Sequence, residues 1–274
     1  MLVSPDGPLH TLPFAALVRG GRYLAEDKPL HTILSATVYA ELRKTRRETP
    51  AAPQVSLAAF GDPSYPGRAP SHPDVRAAVD RGLALTPLPS TREEVRGIAA
   101  LYPQARAFLG QEATEERAKS IGQDARYVHF ACHGLLDERF PLNSSLALSI
   151  PENPEEGQEN GLLQAWEIFD GMRLDADLVT LSACDSGLGQ EMGGEGLLGL
   201  TRAFQYAGAR SVLASLWSVS DASTADLMKR FYGHLRRGAS KDEALRSAQT
   251  EVLRGKDFVH PYYWAAFQLT GDWR

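Results

Sequence analysis

Five short, mostly apolar segments separated by helical patterns constrain the fold of this chain more than any other feature. Each segment is bounded by Gly, Pro, Asp or Asn, as is typical of strands buried on both faces of a parallel sheet. Strands that alternate with helices imply crossover connections, and hence a doubly wound, mostly parallel α/β sheet flanked by helices. The predicted strands are Val55–Phe60, Tyr127–Ala131, Leu178–Ala183, Ser211–Trp217 and Tyr263–Leu269.

The segments between these strands carry clear helix signals. Capping boxes at Ser90-Thr91-Arg92-Glu93 and Ser240-Lys241-Asp242-Glu243 predict two helix starts, and Pro103 predicts the end of the first helix. Apolar residues at helical spacing predict two further helices, one over Gly196–Ala207 and one over about Ala222–Arg236. The apolar stripes of these helices are expected to face the core.

The chain is predicted to form a single domain over 1–274, with an N-terminal appendage over 1–52 and the core over 53–274. In the appendage, turn signals at Pro5-Asp6-Gly7-Pro8 predict a hairpin over Leu2–Leu17. A helical pattern follows at Ser35–Arg47. The Pro- and Glu-containing segment Pro151–Gly161 predicts a mobile acidic hairpin tip, and no internal repeat is found.

Charge and composition indicate which binding partners and which cell compartment are expected. The net charge is −5 and no long basic run occurs, which argues against nucleic acid as the main partner. No apolar run reaches the roughly 18 residues that a membrane span needs, and no secretory signal is visible at the N-terminus. The two cysteines, Cys132 and Cys184, make no disulfide framework. We therefore expect reduced thiols in a cytoplasmic protein without a membrane partner.

Two predicted strands end in reactive side chains. Tyr127–Ala131 leads into Cys132-His133-Gly134, and Leu178–Ala183 leads into Cys184. Ligands of open α/β sheets bind beyond the carboxyl ends of the strands. If the two strands are neighbours, His133 can activate the Cys184 thiol as a nucleophile. The amides of Gly134 and Cys184 are the candidates for an oxyanion hole. No Asp or Asn is placed to orient His133, so the prediction is a dyad.

Other interpretations of these residues remain open. A cysteine at a strand end is often only a small buried apolar residue. The catalytic histidine of caspases lies about 50 residues before the cysteine, and His133 lies 51 residues before Cys184 here. The sequence around Cys184 nonetheless departs from the caspase cysteine signature. His129, Cys132 and His133 cannot all face one ion from a strand, so no metal site is predicted. The segment Gly187–Gly196 lacks the Gly-Lys-Ser/Thr end of a phosphate loop. It is interpreted as a mobile loop beside the nucleophile, and no cofactor is expected.

Several long motifs in fixed order resemble those of CHAT domains, which are caspase-like peptidases often fused to tetratricopeptide repeats. The run His129-Phe130-Ala131-Cys132-His133-Gly134 is similar to their histidine motif, and Leu181–Gly189 to their cysteine motif. The residue after the cysteine is often Glu in that family and is Asp185 here. The resemblance covers nearly the whole chain. It continues through Ser4–Gly7, Leu12–Leu17, Gly194–Phe204, Gly208–Val212, Ser215–Asp221 and His260–Phe267.

The resemblance implies a caspase–hemoglobinase fold and a cysteine endopeptidase acting on a protein or peptide. It implies His133 and Cys184 as the dyad, with Gly134 and Cys184 as oxyanion donors. It also implies a regulatory partner, or a repeat or sensor region absent from this chain, which would make the chain a piece of a longer protein. Two alternatives stay open: an interaction or signalling module in which the dyad contributes little, and a thiol hydrolase of small esters or amides.

The resemblance also suggests which residues set specificity. The segment Leu216–Asp221 is similar to the separase segment whose aspartate receives a basic residue before the cleaved bond. Asp221 is therefore a candidate for the floor of this pocket, where it would pair with Arg or Lys. Asp62, just after the first predicted strand, is a second candidate wall residue. Alternatively, Asp221 caps the following helix, with or instead of Ser223.

Overall fold

A central eight-stranded sheet with helices on both faces organises the chain, and this confirms the predicted fold class. The computed structural model describes residues 1–44, 55–67, 70–83, 85–153, 158–182, 184–185, 194–217 and 219–274, with only the backbone of residues 184, 185 and 221. In these ranges the strands are β1 (Leu2–Val3), β2 (Val18–Arg19), β3 (Arg22–Tyr23), β4 (His31–Thr32), β5 (Val55–Pro63), β6 (Ala105–Gly110), β7 (Ala125–Ala131), β8 (His133–Leu135), β9 (Ser145–Ala147), β10 (Leu162–Gln164), β11 (Leu178–Leu181), β12 (Cys184–Asp185), β13 (Ser211–Ser215) and β14 (Phe267–Gly271).

The order of the strands places a topological switch point in the middle of the sheet. The order is β1-β4-β14-β13-β11-β7-β5-β6, and the strands from β13 to β6 are all parallel. The chain moves outward from β5 to β6 and then returns to the other side of β5 to form β7. Crossover connections therefore reverse direction between β5 and β7. A cleft opens at the carboxyl ends of strands where this happens.

Two layers of helices bury the faces of the sheet. Helices α4, α8 and α9 contribute to the apolar core on one face, and α6 and α7 to the core on the other. Among the described residues, no helix combines the length and apolarity that crossing a bilayer requires. The helices are α1 (Leu24–Asp27), α2 (Ala36–Lys44), α3 (Pro73–Asp80), α4 (Pro89–Ala99), α5 (Glu115–Lys119), α6 (Ala165–Gly171), α7 (Glu195–Ala207), α8 (Asp221–Arg236) and α9 (Lys241–Leu253).

A buried polar network fastens two of these helices to the central strands. The Tyr232 hydroxyl of α8 lies 2.9 Å from Thr180 Oγ1 of β11 and 3.3 Å from His129 Nδ1 of β7. His129 Nε2 lies 2.9 Å from Glu94 Oε1 of α4. Burial raises the pKa of Tyr232 well above its usual value, so the phenol stays neutral. The network joins both helices to the same level of the sheet.

All five predicted strands are present, with changes at their ends. The last one was expected over Tyr263–Leu269 but runs over Phe267–Gly271, because Pro261–Tyr263 forms a 3-10 turn first. Strand β6 was not predicted, because most of its residues are only partly buried and it lacks an apolar run. The predicted helix over Ser35–Arg47 is present as α2 up to Lys44, and 45–47 lie outside the described residues.

The prediction of a hairpin over Leu2–Leu17 was wrong. Prolines 5, 8 and 13 lack backbone N–H groups, and the segment instead forms 3-10 turns over Gly7–Thr11 and Phe14–Ala16. Strand β1 pairs in parallel with β4, and β4 pairs with β14, so the expected appendage adds two strands to the central sheet. The hairpin lies further on, between β2 and β3, where Gly20 and Gly21 have φ of 60° and 77°.

The segment predicted to carry an acidic hairpin tip does join two antiparallel strands. Leu162 of β10 pairs with Ala147 of β9, and both belong to a four-stranded sheet ordered β10-β9-β8-β12. Within this connection, 154–157 lie outside the described residues. The small sheet stands beyond the carboxyl ends of the central strands, because β8 follows β7 and β12 follows β11.

Replacing Gly208 with alanine is expected to destabilise the protein by about 3 kcal/mol or more. Gly208 ends α7 at φ 118°, and a Cβ there would lie 2.0 Å from the Leu174 carbonyl oxygen. Gly238 provides the matched control, because it follows α8 at φ 90° and a Cβ there would meet only open space. Gly238→Ala should cost about 1 kcal/mol. Urea unfolding measures both, and equal losses would contradict the argument from the Leu174 contact.

Candidate active site at the carboxyl ends of the central strands

The pairing of β8 with β12 brings the two residues of the predicted dyad together. Strand β7 ends at Ala131, two residues before His133, and β11 ends at Leu181, three residues before Cys184. The strands β8 and β12 are parallel, and their register aligns Cys184 with His133 and Asp185 with Gly134. Neighbouring strands lie about 4.8 Å apart. The backbones of His133 and Cys184 are therefore direct neighbours across a ladder.

A backbone carbonyl orients the imidazole of His133. The ring is buried, and its Nε2 atom lies 2.8 Å from the Thr86 carbonyl oxygen and 3.4 Å from Thr86 Oγ1. Because a carbonyl can only accept, Nε2 must carry the proton in this contact. In the neutral ring Nδ1 is then the basic nitrogen. The sequence showed no Asp or Asn for this task, and a carbonyl leaves no signature because every residue has one.

Tyr65 fixes one face of the same ring. Its ring centroid lies 5.5 Å from that of His133, and its hydroxyl donates a 2.8 Å hydrogen bond to the Ala147 carbonyl. Ala147 is the cross-strand partner of His133 in β9. Burial raises the pKa of Tyr65, so its phenol remains a neutral donor. Sequence analysis missed Tyr65, because it lies in a Pro- and Gly-rich connection without periodicity.

The other two reactive residues near His133 lie in different places. Cys132 is only 1% exposed and belongs to the core on the α6–α7 side of the sheet. His129 is completely buried on the α4–α8 side, where it contacts Glu94 and Tyr232. The structure therefore groups neither of them with the dyad.

Gly134, the predicted oxyanion donor, is an interior residue of the small sheet. It pairs with Leu146 of β9 on one side and with Asp185 of β12 on the other. Its role, and that of the Cys184 amide, stay predictions. The predicted loop beside the nucleophile falls mostly in 186–193, which lie outside the described residues.

Asp62, a predicted pocket residue, already has a partner within the chain. Its Oδ2 atom lies 2.6 Å from both Nε and Nη2 of Arg92, and its N–H donates to Thr91 Oγ1 at 2.7 Å. Asp62 has φ 47°, a left-handed conformation that is uncommon outside glycine. Contacts from the first turn of α4 thus stabilise the bend of the backbone at Asp62, and the Asp62 charge is paired with a guanidinium group.

Asp221, the other predicted pocket residue, is the first residue of α8. Ser220 occupies the N-cap position, and the Ser223 hydroxyl donates a 2.8 Å hydrogen bond to the Ser220 carbonyl. Helix α8 follows β13, which pairs with β11. Asp221 consequently begins its helix beyond the same sheet edge as the dyad. Its role as the floor of a pocket stays a prediction.

Three carboxylates that could together hold a metal ion instead surround the ammonium group of a lysine. Oxygen atoms of Glu115, Glu159 and Glu167 lie close enough together to hold a metal ion. Lys119 Nζ lies 2.8, 2.7 and 2.8 Å from these three carboxylates, respectively. The ammonium takes the central place that a cation would need, so this cluster is a salt-bridged anchor for the β9–β10 connection.

An open polar cleft adjoins Tyr65. Its volume is about 310 Å³, and it lies beyond the carboxyl ends of β5 and β6. Tyr65, Gln111, Glu116 and Ile150 are among its lining residues. Because Tyr65 also contacts His133, the cleft and the dyad share a wall.

The central sheet, with the histidine and cysteine motifs at the ends of neighbouring strands, has a caspase-like α/β fold. The family model for the CHAT domain matches residues 1–272. The chain belongs to the CHAT domain family.

Comparisons with individual proteins agree with this assignment. Tetratricopeptide repeat protein 28 from Homo sapiens is 29% identical over 99% of this chain, and the Mus musculus protein is 31% identical over 97%. This chain spans 12% of the length of these relatives. Separase in the Saccharomyces cerevisiae separase–securin complex superposes with a TM-score of 0.55 and 14% identity, over 96% of this chain and 15% of that chain.

A bacterial peptidase shows the same fold. RgpB of Porphyromonas gingivalis, in the complex of its pro- and mature domains, superposes with a TM-score of 0.50 and 11% identity. The match covers 89% of this chain and 55% of that chain. Gingipain R (RgpB) is described as an Arg specific cysteine proteinase. At these identities the likeness shows a shared fold.

The neutral imidazole of His133 is expected to carry its proton on Nε2, because the Thr86 carbonyl can only accept. Long-range ¹H–¹⁵N correlation spectra of ¹⁵N-histidine-labelled protein at alkaline pH report the tautomer directly. His133→Gln supplies the assignment. A proton on Nδ1 would contradict the proposed contact with Thr86.

Proposed function

We propose that this chain is a cysteine endopeptidase that cleaves a protein or peptide substrate through Cys184 and His133. The observation that carries the proposal is the register of β8 and β12, which aligns these two residues across a parallel ladder. Membership of the CHAT family and the caspase-like fold support it. We retain the predicted cytoplasmic location as part of the proposal.

The chemistry follows from the residues at this edge of the sheet. His133 takes the proton of the Cys184 thiol, and the thiolate attacks the peptide carbonyl, so a C–S bond forms and the amides of Gly134 and Cys184 stabilise the oxyanion. The C–N bond then breaks, and His133 gives its proton to the leaving amine. Water hydrolyses the thioester and restores the thiol. The Thr86 carbonyl and the Tyr65 ring hold the imidazole in place throughout these steps.

A preference for Arg or Lys before the cleaved bond belongs to the same proposal. Of the two predicted carboxylates, Asp62 is paired with Arg92, whereas Asp221 begins α8 at the edge that carries the dyad. We therefore assign the main role to Asp221. The polar cleft beside Tyr65 is proposed to accept further residues of an extended peptide.

Regulation by another protein or by a repeat region is proposed as well. The sequence relatives are tetratricopeptide repeat proteins of which this chain spans 12%, and the separase structure is a complex with securin. An interaction module in which the dyad contributes little is the alternative from a different class. If the chain is an interaction module and not a peptidase, its biological effect persists after replacement of Cys184.

Cys184→Ala is expected to lower peptide hydrolysis by about 10³-fold or more, because the nucleophile is lost. Cys132→Ala is the matched control: it removes the other thiol, which is buried in the core, and should retain activity. Fluorogenic peptides varied before the cleaved bond measure both variants without an added cofactor.

A peptidyl electrophile tests the nucleophile even if the enzyme is latent. Labelling at Cys184, identified by mass spectrometry and absent from His133→Ala, is the expected result. Labelling that ignores the His133 substitution, or no labelling at Cys184, would favour the interaction module over a peptidase.

Asp221→Asn is expected to lower kcat/KM for substrates with Arg or Lys before the cleaved bond by about 10- to 100-fold, because a charge-assisted pair is lost. Substrates with an uncharged residue there should change little. Asp62→Asn should alter this preference less than Asp221→Asn, since Asp62 pairs with Arg92. The proposed pocket would be refuted by an unchanged preference in Asp221→Asn.

A further inference from the structure

A second cavity lies at the opposite end of the central strands from the dyad. Its volume is about 400 Å³. It is bordered by the first residues of β7, by Asp177 just before β11, and by the connection between α8 and α9. Strands β7 and β11 therefore begin at this cavity and lead to His133 and Cys184, respectively.

Positive charge dominates the lining of this cavity. Its lining contains the side chains of Arg126, Arg236, Lys241 and Arg274 against a single acidic side chain, that of Asp177. Asp177 is already engaged by Arg126 at 2.8 Å and lies 3.6 Å from Arg210 outside the lining. Its charge is thus shared between two guanidinium groups, and a net positive cavity remains.

The other two arginines differ in how their charge is compensated. Arg274 pairs at 3.0 Å with Asp272, which does not line the cavity. Arg236 is exposed at the end of α8 and makes no ion pair with any carboxylate in the described ranges. The guanidinium of Arg236 is therefore available to a ligand.

Lys241 is the most unusual residue of the cavity because its side chain is buried. The residue is 3% exposed, and Nζ donates a 3.0 Å hydrogen bond to the Asp177 carbonyl oxygen. An ammonium group has three donors and is costly to bury unless anionic groups compensate it. Burial lowers the pKa of Lys241 to about 8; nearby Arg210 and Arg126 act in the same direction, and Asp177 and Asp272 oppose it.

We infer that this cavity binds a small molecule that carries phosphate groups. A diphosphate matches the excess of positive charge, whereas one carboxylate would leave most of it uncompensated. Guanidinium groups form paired hydrogen bonds with phosphate oxygens, and Lys adds a point charge. The volume falls within the range of small-molecule sites. The inference concerns binding and does not rest on the proposed peptidase activity.

Isothermal titration calorimetry with inorganic pyrophosphate tests the site. We expect binding to the wild type and at least tenfold weaker binding for Lys241→Met and Arg236→Ala. Arg237→Ala is the matched control, because Arg237 neighbours Arg236 in sequence but contacts His234 and does not line the cavity. It should change the dissociation constant less than twofold. Circular dichroism melting checks that each variant is folded.

Proton uptake separates a direct role of Lys241 from a structural one. A bound anion favours the charged ammonium, so at pH 8 binding should take up a fraction of a proton. Titrations in buffers of different ionisation enthalpy measure this uptake. The charged groups facing Lys241, namely Asp177, Asp272, Arg210 and Arg126, remain in Lys241→Met, which should abolish most of it.

Three outcomes would overturn the inference. The first is a dissociation constant for pyrophosphate above about 1 mM, which corresponds to a binding free energy weaker than roughly 4 kcal/mol. The second is equal weakening by Arg236→Ala and Arg237→Ala, which would indicate only general electrostatic attraction. The third is binding of a phosphoserine peptide without binding of pyrophosphate, which would assign the cavity to a phosphorylated polypeptide instead.

Discussion

The parallel pairing of β7 with β11 is the constraint on which the candidate site depends. Its register aligns Leu178 with Tyr127 and Leu181 with Phe130. The two strands then continue into β8 and β12, where Cys184 and His133 are aligned. A slip of one residue would place Cys184 opposite Cys132 or Gly134, and would also turn one strand's side chains to the other face.

The buried polar network adds a second determinant of this register to the apolar contacts. Thr180 and His129 are cross-strand partners, and both contact the hydroxyl of Tyr232. A slip would separate this pair and leave buried polar atoms without partners, at about 1–3 kcal/mol for each. One hydroxyl group of α8 therefore forms its contacts only when the two strands are correctly aligned. The contacts that anchor the helix also stabilise the register that aligns His133 with Cys184.

Sequence analysis succeeded where the determinants are local. The central strands are apolar runs, and the motifs place His133 and Cys184 just after two of them, where the structure aligns their backbones. Their catalytic roles stay predictions. It failed where the determinants are brought together only by folding. The two-residue strands β1 and β4 carry no pattern of their own, so their place in the central sheet could not be predicted.

The contacts of His133 and Asp62 could not be predicted from the sequence for the same reason. The Thr86 carbonyl reaches His133 from 47 residues away, and Arg92 reaches Asp62 from 30 residues away. Neither contact has a local signature, because one uses a backbone atom and the other an ordinary surface pair of charges. The motif located His133 in the sequence, whereas the groups that contact and orient its ring could be identified only in the structure.

The bend at Asp62 has a consequence for how new variants of this fold can arise. Thr91 and Arg92 hold the start of the connection after β5, while its far end supplies the carbonyl of Thr86. Helix α3 lies within this connection and is anchored by buried Val75 and Ala78. In the irregular segments on either side of it, each doubling of the length of a flexible loop adds only about 0.6 kcal/mol of closure cost. Insertions can therefore diversify the rim of the cleft at little thermodynamic expense. These irregular segments are therefore favourable places for evolution, or for grafting, to change the cleft while His133 and Cys184 stay in place.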